Sequence, residues 1–160
     1  MNVELVSGSH SVGEANLHLQ LTPAYRQDVF ADEIMRILTR DYLLSAARLH
    51  AFQITAIGFD DDHAHLFVTN WKNYSPAKIA QLLKGFSSRM MRKFHKELFA
   101  GKLYGKKFWS AGYFYRTVGA VNSATVRKYV AESQEYGYKR SEFPSQRKLI
   151  EFSPDKRSPL

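Results

Sequence analysis

The first clear pattern falls at residues 17–21, where Leu17, Leu19 and Leu21 alternate with His18 and Gln20. A period of two puts the leucines on one face of a strand and the polar pair on the other. Pro23 closes that strand, and a helix is predicted over about 31–49, with Phe30, Ile34, Ile37 and Leu38 on one side. A second strand over about 51–59 leads into Asp60-Asp61-Asp62, which has no regular period and reads as a turn. Residues 63–70, HAHLFVTN, are rich in β-formers and form a third predicted strand. Ser75-Pro76, an N-cap followed by proline in the first turn, starts a second helix. Its apolar positions Ile79, Leu82, Leu83, Phe86, Met90, Phe94 and Leu98 keep helical spacing up to Gly101. A fourth strand is predicted over 112–119, and Asn122 or Ser123 caps a last helix carrying VRKYVAESQ.

The order β-α-β-β-α-β-α predicts an α+β fold, a ferredoxin-like or RRM-like antiparallel sheet with helices on one face. Residues 1–15 read as a flexible lead, 16–137 as the domain, and 138–160 as a basic tail containing Pro144, Pro154 and Pro159. This topology hosts many activities, so function has to come from the side chains.

Composition narrows the choice. With 160 residues and 44% hydrophobic positions, the chain suits one compact domain with a sizeable core. It has no cysteine, which excludes disulfides and thiolate zinc sites. No apolar run approaches the roughly 18 residues of a membrane span, and the N-terminus lacks the pattern of a secretory signal. A cytoplasmic protein without a membrane partner is expected.

Net charge is +8, and the excess is local: residues 84–107 hold eight Lys or Arg against one acid, Glu97. Phe86, Phe94, Phe99, Tyr104, Phe108 and Trp109 lie in or beside this stretch. Cations neutralise phosphates and rings stack on unpaired bases, so the mixture suits nucleic acid. Arg26, Lys84, Arg89, Arg92, Lys93, Lys106 and Lys107 are the candidate phosphate contacts, although about half of such charges ordinarily serve only solvation. Phe108 and Trp109 fit core packing better than base stacking.

His63 and His65 stand two apart on a predicted strand, so both imidazoles face one side and can reach a single divalent ion. The spacing alone is common. Binuclear metallohydrolases continue HxHxDH, whereas Leu66-Phe67-Val68 follow here, and a three-histidine zinc centre has no support. A histidine pair in an apolar strand remains, with room for a third ligand from elsewhere.

Four segments, TPAYRQDVF (22–30), HAHLFV (63–68), FWSAGYFYRTVG (108–119) and VRKYVAESQ (126–134), extend that pair. In order and spacing they resemble the single-tyrosine HUH transposases of minimal bacterial and archaeal insertion sequences. The resemblance implies the HUH endonuclease fold and a homodimer with composite active sites. It makes His63 and His65 metal ligands for Mg²⁺ or Mn²⁺, and Tyr129 the nucleophile on the helix after the last strand. It further implies cutting of single-stranded DNA near hairpins, a 5′-phosphotyrosine link, and rejoining without ATP.

Two residues complicate the picture. Val126, Tyr129 and Val130 also share the spacing of an ordinary apolar helix face. The family pattern places a glutamine ligand four residues after the tyrosine, but Gln134 comes five after Tyr129. In a regular helix the fifth position lies about 140° from the tyrosine and the fourth only about 40°. Gln134 therefore coordinates through a π-bulge, or Glu132 or water takes its place. Relaxases place the tyrosine ahead of the histidines, and replication initiators carry further domains. A replication-initiator-type HUH nickase, which shares the order of histidines and tyrosine, is one alternative; a non-catalytic RRM-like module is the other, and it would show aromatics where the third strand shows two histidines.

Overall fold

The computed structural model describes residues 6–8, 11–13 and 15–118, together with Lys128, which is helical and exposed. In chain order the elements are β1 (Val6–Gly8), β2 (Ser11–Gly13), β3 (Asn16–Leu21), α1 (Glu33–Leu49), β4 (Gln53–Asp60), β5 (His63–Thr69), α2 (Pro76–Phe94), α3 (Lys96–Phe99) and β6 (Phe114–Thr117). Short 3₁₀ turns at Ala24–Arg26 and Val29–Ala31 join β3 to α1. Strands β1 and β2 pair antiparallel, so regular pairing occurs within the segment expected to be a flexible lead.

The main sheet has the order β4-β5-β3-β6, antiparallel throughout. With α1 and α2 as the crossovers, this is the ferredoxin-like arrangement expected from the pattern. In β3 the period of two is real. Leu17, Leu19 and Leu21 are fully buried and join Leu66 and Val68 of β5 in one core with α1 and α2. His18 and Gln20 point to the opposite face, and their strand partners there are Phe67 and His65.

Capping sets where the helices begin. The Asp32 side chain accepts from the backbone N–H groups of Ile34 at 2.8 Å and Met35 at 3.3 Å, and Ser75 Oγ accepts from Lys78 N at 3.1 Å. The buried stripe of α1 is Met35, Thr39, Leu43, Ala46 and Ala47, whereas Ile34 and Ile37 face solvent. That corrects the predicted face, because Phe30 enters the core from the preceding 3₁₀ turn instead of extending the helical stripe. Helix α2 also ends sooner than its apolar spacing predicts. His95 leaves helical geometry at φ −136°, its ring contacts the Tyr42 hydroxyl at 2.9 Å, and α3 then carries Phe99 into the core. Phe94 and Leu98 are left exposed.

Candidate metal centre

The second face of the sheet carries a buried polar cluster beside a small apolar one of Ala56, Phe67 and Val118. His18, Gln20, His63 and His65 are each 6% exposed or less. The register explains the cluster: the β4–β5 pairing sets Asp60 opposite His63 and Gly58 opposite His65, while β3 brings Gln20 opposite His65. Gly58 leaves the space beside His65 free of a side chain. The two imidazoles lie 4.6 Å apart, centre to centre, and nearly perpendicular.

Each histidine spends one nitrogen on an orienting partner. His63 Nδ1 lies 2.6 Å from Asp62 Oδ1, and Asp62 in turn pairs with Arg26 Nε at 3.3 Å. His65 Nδ1 lies 3.1 Å from His18 Nε2, one ring donating and the other accepting. His63 Nε2 is buried without an aligned hydrogen bond, 3.3 Å from Asp60 Oδ2. Asp60, His63 and His65 each place a donor atom within 4.8 Å of the others, the one such three-residue group among the described residues. A metal-bound histidine ordinarily fixes its tautomer by giving its second nitrogen to a carboxylate or another acceptor. An unaligned inner nitrogen, a nearby carboxylate and anchored outer nitrogens together fit a divalent cation.

Electrostatics keep two of the buried rings, His18 and His65, in their neutral forms. Burial first, then the charges of Arg116 and His63, bring His18 down to about 4. Burial also pushes His65 well below its ordinary value, helped by His63 and His18. Both rings are therefore neutral near pH 7. Burial raises the Asp60 carboxyl, with His63 opposing the shift and Asp61 and Asp62 adding to it by charge. Burial would raise Asp62 too, but its bond to His63 and the charges of His63 and Arg26 hold it below the ordinary carboxylate range.

His63 and His65 come together as the spacing implied. Tyr129, Gln134 and Glu132 lie outside the described residues. Asp60, expected in a turn, belongs to β4 and to the cluster, and Asp62, His18 and Gln20 adjoin it without a spacing motif of their own. Alternation had already placed His18 and Gln20 on one face, but the pairing that brings Asp60 to His63 is not written in local spacing.

Among the cations, Arg92 Nη1 donates to the Gly105 carbonyl at 2.7 Å, and its guanidinium lies over Phe99 at 5.5 Å. That role braces the basic loop. Lys84 Nζ donates to the Ala111 and Gly112 carbonyls at 2.9 and 3.2 Å. Arg89 and Lys93 lie over Phe86 and Phe94. Lys84, Arg89, Arg92, Lys106 and Lys107 border one cavity of about 500 Å³. Phe108 and Trp109 are core residues, and Trp109 Nε1 donates to Ser87 Oγ at 2.8 Å.

Among the described residues no helix is long and apolar enough to cross a membrane. A candidate transposase from Deinococcus radiodurans shares the fold with TM-score 0.63 and 24% identity, over 80% of this chain and 97% of that one. A REP-associated tyrosine transposase bound to a REP hairpin aligns with TM-score 0.51 and 11% identity, over 87% of this chain and 80% of that one. No curated protein matches the sequence. The family model for IS200-like transposases matches residues 11–133, a span that takes in the sheet, both histidines and Tyr129, and the chain belongs to that family.

Proposed function

We propose that this chain is a single-tyrosine HUH transposase that cuts and rejoins single-stranded DNA at hairpin-marked element ends. The observation that carries the reading is the convergence of Asp60, His63 and His65, with both outer imidazole nitrogens already anchored. Asp60, His63 and His65 would hold a divalent cation, which would supply positive charge to polarise the scissile phosphate. Imidazole ligation leans toward Mn²⁺, while carboxylate oxygen and cellular abundance favour Mg²⁺. In this reading Gln134 or Glu132 adds a further oxygen.

Tyr129 is the nucleophile. Its phenol, with an ordinary pKa near 10, gives up its proton to solvent water as the oxygen bonds to phosphorus. The P–O3′ bond breaks, and the leaving 3′ oxygen takes a proton to become a hydroxyl. The 5′-phosphotyrosine retains the energy of the original diester, so a 3′-hydroxyl reverses the step without ATP. Arg26, Arg89, Lys93, Lys106 and Lys107 hold the DNA backbone, with Arg92 shaping the loop that carries the last two. Two chains form a homodimer in which each tyrosine helix serves the histidines of its own or the other subunit, in the cytoplasm. Family membership and the hairpin-bound relative support hairpin DNA as the substrate.

The test incubates end-labelled hairpin DNA carrying single-stranded flanks with protein and Mn²⁺ and reads SDS-resistant adducts. Wild-type protein is expected to retain the downstream fragment, whose 5′ end carries the phosphate, and Tyr129→Phe to retain none. An adduct that survives Tyr129→Phe, or undiminished nicking by the double variant His63→Ala/His65→Ala, overturns the mechanism.

A further inference from the structure

A second cavity, of about 380 Å³, is lined by Gln20, Thr22, Tyr25, Arg26, Tyr113 and Phe114, among others. Its volume falls in the range of ligand sites. Its two walls are fastened to each other: Ser110 N donates to Thr22 O at 2.8 Å, and Ala24 N to Phe108 O at 2.9 Å. Tyr25 and Arg26 both adopt left-handed backbone, at φ 58° and 50°. Such strain in non-glycine residues concentrates at ligand clamps and active sites. Tyr25 is 74% exposed. Gln20 is 3% exposed, and its Oε1 is buried with no hydrogen-bond partner among the described residues. A buried amide oxygen without a donor calls for one from a ligand.

We propose that this cavity receives one unpaired nucleobase of the DNA strand being cut, stacked on Tyr25 and met by the Gln20 amide oxygen. The inference rests on the single-strand cutting reading above and names where a base next to the scissile phosphate sits. Aromatic rings stack on any base face, and an amide oxygen selects a base that presents an N–H group. The pocket is coupled to the metal centre by chain geometry: Gln20 is the strand partner of His65, and Arg26 holds the carboxylate that orients His63. A base seated between them places its own phosphate close to the ligand histidines.

The experiment measures binding of full-length protein, in EDTA, to a labelled hairpin with single-stranded flanks. Each flanking position is replaced in turn by an abasic tetrahydrofuran residue, which deletes the base and keeps the phosphate. One position is expected to lose affinity roughly 5- to 150-fold. Tyr25→Asn, which suits left-handed backbone and removes the ring, loses a similar factor on intact DNA and nothing further on that abasic strand. Tyr25→Phe keeps wild-type affinity, and Gln20→Met levels the preference among bases at that position. Additive losses, or no sensitive position, overturn the pocket even if nicking proceeds normally. Coupled losses in a protein that never nicks uphold the pocket and instead defeat the cutting reaction.

Discussion

The two faces of the central sheet are drawn from the same strands and are buried to nearly the same degree, yet they do opposite work. On the helix side, Leu17, Leu19, Leu21, Leu66 and Val68 are fully enclosed in apolar surroundings. One residue away along each strand, His18, Gln20, His63 and His65 are also almost wholly enclosed. Burying polar groups is costly unless they are hydrogen-bonded. The second face meets that cost only in part: His18 pairs with His65 and His63 with Asp62, but His63 Nε2, 3.3 Å from Asp60 Oδ2, and Gln20 Oε1 have no hydrogen bond among the described residues. Stability is therefore concentrated on one face, and binding capacity is held in reserve on the other. A one-residue register slip would exchange them, so register is what both depend on.

The largest effect that can test this division comes from the apolar side. Leu66→Ala leaves a hole between β5 and the helices and is expected to cost about 2–5 kcal/mol of stability, read from the midpoint of urea unfolding. The folded fraction at low temperature should still bind Mn²⁺ in calorimetric titration with wild-type affinity. Loss of metal binding in folded Leu66→Ala would show that the two faces are not separable.

Acid should strain the polar side in the metal-free protein. His18 titrates near 4 in the folded chain, against 6.5 as its ordinary value, and His65 is lowered as well. Below pH 6.5 the unfolded chain takes up protons that the folded one refuses. Stability is thus complete above that pH and falls as pH drops toward 4, by up to about 3 kcal/mol from His18. The raised Asp60 acts with the opposite sign, since folding favours its protonated form, and blunts the lower end of the fall. Melting temperatures in EDTA between pH 7 and 4.5 should decline less steeply for His18→Gln than for wild type. Parallel curves would mean that the cost lies elsewhere.

Much of the fold could be read locally. LHLQL encodes two faces outright, Ser75-Pro76 marks a helix start, and four strands in this order leave few topologies. The buried stripe of α1 was harder: Ile34 and Ile37 have the right hydrophobicity, but tertiary docking of Phe30 rotates the helix away from them. The histidine pair was legible because both ligands lie on one strand. Asp60 and Asp62 were not, because their value depends on the β4–β5 register that folds an acidic turn back onto His63. By composition Lys84 and Arg92 are candidate phosphate contacts, and only the path of the basic loop reveals the carbonyls they hold.

The smallest expected effect is also the most specific to the polar face. Asp62 is not among the three clustered ligands; it accepts from His63 Nδ1 and leans on Arg26. Asp62→Asn keeps the size and one acceptor oxygen but removes the charge that holds the ring in its ligand tautomer. Loss of such an outer partner typically weakens metal affinity about 10- to 100-fold. The fold should hardly notice, because Asp62 is a quarter exposed and contributes nothing to the apolar core. The measurement is Mn²⁺ affinity by calorimetry beside a urea midpoint for the same variant. A drop in affinity with an unchanged midpoint would locate the effect in orientation of His63. Wild-type affinity would mean that the β5 strand alone fixes the ring and that the Arg26–Asp62 pair merely closes the turn.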